Sequence, residues 1–97
     1  MKNLGTVYTF AIGEPVSMQQ VQEFLVRRDV DGATLTEASG FWKGHVEKTI
    51  VVSIAGISAL RAMQLAQSMA REFNQEAIYV QFNGNGYLAE RRELRTA

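Results

Sequence analysis

The chain has 97 residues, 46% of them hydrophobic and 21% charged, the mixture of one globular domain without length for a second. Ten basic residues balance ten acidic ones, so no net field draws the chain to nucleic acid or anionic lipid. Cysteine is absent, which excludes a disulfide framework, a thiolate zinc site and a thiol nucleophile.

The opening, MKNLGTVYTFAIGEP, carries one lysine and a short apolar run broken by Thr and Gly, and is expected to form a first strand rather than a secretory leader. No apolar run approaches the length of a bilayer span, so the expected location is cytoplasmic, with no membrane partner. Over residues 6–12, Tyr8, Phe10 and Ile12 share one face and Val7, Thr9 and Ala11 the other. Ser17 then opens a helix, and Gln20 completes a capping box. Met18, Val21, Phe24 and Leu25 form its apolar stripe, while Arg27 and Arg28 complement the dipole of its last turn.

Residues 32–39 and 46–55 read as a second and a third strand. Val46, Ile50, Val52 and Ile54 share a face, and Leu35 must join them. Pairing Leu35 with Ile50 does so, setting Ala33 opposite Val52 and Glu37 opposite Lys48. That register predicts a four-residue loop over 41–44, with Gly44 free to take positive φ and Trp42 and Lys43 lifted to the tip.

Ser58 caps a second helix running to about Phe73, with a predicted stripe of Leu60, Met63, Ala66, Ala70 and Phe73 widened by Leu65 and Met69. Residues 77–82 form a fourth strand with Ile78, Val80 and Phe82 facing in. NGNG is a turn signal, YLAE can return as a short fifth strand, and RRELRTA is a charged tail.

The order βαββαβ predicts an α+β ferredoxin-like sandwich, with a four-stranded antiparallel sheet and two helices on one face. Its core spans 6–83, and 84–97 supply a turn and a tail. The helix-free face would carry Thr9, Val51, Ser53, Tyr79 and Gln81 with little charge. A solvated sheet face carries more Lys and Glu, so a second subunit is expected to cover this one.

The chemical candidates are few. Trp42, the only tryptophan, and His45, the only histidine, flank Lys43 on the hairpin, where an indole can stack on a flat ligand and the two bases can meet an anion. One histidine builds no zinc site, and Glu37 and Glu47 lack ligand spacing around it. Asn83, Asn85 and Tyr87 lie in a Gly-rich turn that no helix follows, so the phosphate-loop and dinucleotide fingerprints fail. No serine sits in a nucleophile elbow. RNA recognition by this topology needs aromatic residues on the open face of the central strands, and here Tyr8 and Phe10 face the core.

DGATLTEASGFWKGHVEKTIVVSI followed by AREFNQEAIYVQFN resembles small bacterial domains of uncharacterised function in the PII-like, ferredoxin-fold group. The resemblance covers about residues 6–83, and Asp31, Gly32, Gly40, Trp42 and Glu47 carry it. It implies an oligomer built through the sheet, often a trimer, with ligand clefts between subunits. The expected function is thus a non-enzymatic homo-oligomeric binding module, trimer or dimer. A small anionic or aromatic ligand, or a protein partner, would lie between the 40–45 hairpin and the 83–87 turn, touched by Trp42, Lys43, His45, Asn83, Asn85 and Tyr87. No metal or cofactor is expected. A weaker resemblance is to dimeric α/β-barrel monooxygenases, which would act on an aromatic or porphyrin substrate in a cavity lined by Thr9, Ser53, Tyr79 and Gln81.

Overall fold

The computed structural model describes residues 1–91. Its elements are β1 (Tyr8–Gly13), α1 (Met18–Arg27), β2 (Thr34–Trp42), β3 (His45–Ile54), α2 (Ala59–Glu72), β4 (Ala77–Phe82) and β5 (Asn85–Glu90). Beyond Arg91, the predicted charged tail lies outside the described residues. The result is an α+β domain with two helices and one five-stranded antiparallel sheet, ordered β2-β3-β1-β4-β5. It is compatible with a ferredoxin-like arrangement and has a full fifth strand where a short one was expected. Among the described residues, no helix is long and apolar enough to cross a membrane.

β1 lies at the centre because both its edges are paired, Phe10 standing opposite Val52 of β3 and Val80 of β4. The two-residue alternation of a strand sends Tyr8, Phe10 and Ile12 under the helices, where all three are buried. Fully burying each such side chain contributes about 1.5–3 kcal/mol. The predicted capping box starts α1: Ser17 Oγ accepts from Gln20 N (3.1 Å), and Gln20 Oε1 accepts from Ser17 N (2.8 Å). A cap of this kind contributes about 1 kcal/mol. Val21, Phe24 and Leu25 bury the face of α1 that meets the sheet, and Phe24 packs on Phe73 at the end of α2.

α2 corrects the predicted stripe. Ala62, Leu65, Ala66, Met69 and Ala70 are buried, whereas Leu60 is 69% exposed and Met63 half exposed. The sheet-facing row is 62, 65, 66, 69, 70 and 73, and its alanines bring the helix axis close to the strands. Leu60 and Met63 lie on a neighbouring row.

The β2–β3 register also differs from expectation. Leu35 stands opposite Val52, Glu37 opposite Ile50 and Trp42 opposite His45, a shift of two residues that preserves every side chain's face. The loop is therefore two residues long, Lys43 at φ 49° and Gly44 at φ 81°. Positive φ at both positions follows the right-handed twist of the flanking strands, so pairing runs to the tip. Trp42 is consequently the last residue of β2, and the predicted Glu37–Lys48 pair does not form. The hairpin outruns the helices: Phe41 and Val46, opposite each other on the helix-side face, are 75% and 73% exposed. Val46, expected in the core, lies outside it for that reason. β5 extends the core past residue 83, since Ala89 is buried beside α2 and Tyr87 stacks on Phe82 with ring centroids 5.0 Å apart.

Candidate functional site

Alternation along the strands puts Thr9, Ala11 and Gly13 of β1 on the helix-free face. Ala11 and Gly13 are small, whereas the strands on either side carry Trp42 and Thr49, and Tyr79 and Leu88. Small residues on the central strand between larger ones on the flanks make a groove. It has a volume of about 590 Å³ and opens at the end of the sheet where β1 finishes. Glu14, Glu47, Gln75 and Glu76 supply its polar lining.

Three glycines shape it by letting a side chain lie flat across the sheet. A Cβ on Gly13 would stand 2.5 Å from Glu47 Oε1, and one on Gly86 would stand 2.5 Å from the Tyr79 hydroxyl. A Cβ on Gly40 would run into the Thr49 side chain. In each case the overlying side chain belongs to the diagonal neighbour, not the residue directly opposite, because Gly13 faces Thr49, Gly86 faces Gln81 and Gly40 faces Glu47. The Glu47 carboxylate therefore lies on the groove floor over β1. It makes no hydrogen bond or ion pair among the described residues.

Side chains brace the backbone at this end of the groove. Gln75 Oε1 accepts from Gly13 N (3.2 Å), Gln75 Nε2 donates to the Glu14 carbonyl (3.3 Å), and Glu14 Oε1 accepts from Lys48 N (2.5 Å). Gln75 and Glu14 thus tie the end of β1 to its neighbours. Glu76, next to β4, receives Lys43 Nζ from the hairpin tip at 3.1 Å on both carboxylate oxygens. The same ammonium lies 5.6 Å from the centre of the Trp42 ring. Among the described residues, no group of three His, Asp or Glu side chains is placed to hold a metal ion. The three carboxylates are distributed around the groove and do not converge.

The predicted site residues separate into two ends. Trp42 lines the groove, Lys43 stands at its rim, and His45 is exposed opposite Trp42 on the same face. Asn83 and Asn85 flank Gly84 in a second two-residue turn, beside Tyr8 and Phe82 at the other end of the sheet. Tyr87 lies on the helix side, stacked on Phe82. A single chain therefore brings Trp42, Lys43 and His45 together and keeps them apart from Asn83, Asn85 and Tyr87. Thr9, Val51, Ser53, Tyr79 and Gln81 do share the helix-free face, and Tyr79 reaches the groove. Sequence reasoning missed the groove roles of Gly13, Glu47, Thr49 and Glu76. Tight pairing up to Trp42 would have set Glu47 opposite Gly40 and Thr49 on its diagonal, whereas nothing along the chain marks Gly13 or Glu76.

No family model and no curated protein matches the chain. Among solved structures, a phage SAM lyase in its apo state is similar in fold, with a TM-score of 0.66 over 98% of each chain at 16% identity.

Proposed function

We propose that the chain is a cytoplasmic, homo-oligomeric small-molecule binding domain of ferredoxin-like, PII-like type, and that its ligand lies in the helix-free groove. The observation that carries this reading is the Glu47 carboxylate, unpaired on the groove floor between the Trp42 and Tyr79 walls. A carboxylate partly withdrawn from water favours a cation, and a charge-assisted contact there is stronger than a neutral one. The indole and phenol favour a flat ring beside that cation. The acidic lining thus selects a ring-bearing cation over the anion that Lys43 and His45 first suggested. S-adenosylmethionine has this chemistry, a sulfonium joined to adenosine, and the similar fold of a SAM lyase makes it the first ligand to try. Assembly through the sheet is part of the proposal, and what supports it is the exposed apolar surface that Val7, Tyr79 and Leu88 leave.

Calorimetric titration with S-adenosylmethionine tests the site. Saturable binding is expected, weakened about tenfold or more by Glu47→Gln and by Trp42→Ala, with cooperative unfolding retained in both variants. Binding that neither substitution changes would place the ligand elsewhere. Light scattering on a sizing column tests the assembly: a dimer or trimer is expected, and a monomer would overturn that part.

A further inference from the structure

The Lys43–Glu76 pair stands where the two sides of the groove meet. Trp42 and Glu76 both line the cavity, one from the β2–β3 hairpin and the other from the segment before β4. A single ammonium touches both, 3.1 Å from the carboxylate oxygens and 5.6 Å from the ring centre. The reverse of the hairpin is open there, since Phe41 and Val46 are both exposed. Both partners of the pair are open to water, at 61% and 70% side-chain exposure. An ion pair this exposed contributes little to folding, so exchanging its partners is easy.

An α-amino-acid head group carries an ammonium and a carboxylate on one carbon, the same two charges in the same proximity. We propose that Lys43 and Glu76 form a head-group subsite at the groove mouth. The ligand's carboxylate accepts from Lys43 Nζ, and its ammonium donates to the Glu76 carboxylate, so that two new pairs replace one internal pair. Charge matching gives the selectivity. A simple anion taking Lys43 would leave Glu76 unpaired, and a simple cation taking Glu76 would leave Lys43 unpaired, whereas a zwitterion satisfies both. The inference rests on the reading that the groove takes a ring-bearing cation, and it adds the class of the ligand's other end.

The test is a set of titrations of the full chain, Lys43→Ala and Glu76→Gln with two probes. S-adenosylmethionine has the amino-acid head group and the sulfonium, whereas 5′-methylthioadenosine lacks both and reads the ring site alone. The full chain is expected to bind S-adenosylmethionine the more tightly. Each substitution should weaken that binding about tenfold, the loss of one charge-assisted contact, and leave methylthioadenosine binding unchanged. If both probes weaken alike, or neither does, the subsite is wrong while the groove reading stands. If the full chain binds neither probe, the groove reading falls and the subsite with it.

Discussion

The two hairpins of the sheet close with the same turn and meet different fates. Lys43–Gly44 and Asn83–Gly84 each join paired strands through two residues at positive φ, 49° and 81° in one and 50° and 76° in the other. Around Asn83–Gly84 the flanking residues turn inward: Phe82 packs on Tyr87 and on Tyr8, with ring centroids 5.0 and 4.9 Å apart. Around Lys43–Gly44 the flanking Phe41 and Val46 stand in solvent, and the tip is tied to the body by one ion pair. Turn chemistry is local, but the value of what a turn presents depends on where the helices end above it. One hairpin rests against the core and the other stands clear of it.

The largest expected contrast is between aromatic truncations in the two. Phe82→Ala should destabilise the fold by about 3 kcal/mol, and Phe41→Ala by less than about 0.5 kcal/mol, in denaturant unfolding. A comparable loss for Phe41→Ala, growing with protein concentration, would show that a second copy covers the hairpin in solution. The two turns should respond alike: Gly44→Val and Gly84→Val are each expected to cost about 2 kcal/mol, because both force a β-branched residue to positive φ. Unequal costs in circular-dichroism melts would mean that one turn relaxes, the exposed one being free to do so. The smallest effect is expected for Lys43→Ala, less than about 0.5 kcal/mol at low salt and none at 1 M salt. A salt-independent loss would show that the ion pair organises more of the hairpin than its exposure suggests.

What the sequence made legible was whatever depends on neighbours along the chain. The alternation of Tyr8, Phe10 and Ile12 and the Ser17–Gln20 capping box are both present as read. The β2–β3 register was not legible to the residue, since Leu35 reaches the helix side opposite either Ile50 or Val52. What decides between them is Lys43 at positive φ, which lysine does not advertise as Asn or Gly would. In α2 the size of Leu60 and Met63 drew them into the stripe and small Ala62 was passed over, whereas Leu65, Ala66, Met69, Ala70 and Phe73 do face the core as read. The groove was the least legible feature. Its floor consists of small residues, which say nothing until the strand order sets Trp42 and Tyr79 on either side of them.

The placement of that floor has a consequence for how a bound molecule would be held. Ala11 and Gly13 belong to the strand with neighbours on both edges, whose amides should be among the slowest in the molecule to exchange with deuterium. Trp42 and Leu88, in contrast, hang from the two outermost strands, which can breathe without opening the domain. A site with a stiff base and yielding sides is strict about where a charge sits and lenient about the outline of the ring beside it. Changes to the ring should be tolerated and followed by faster or slower exchange in β2 and β5, whereas moving the cation by one bond should not be.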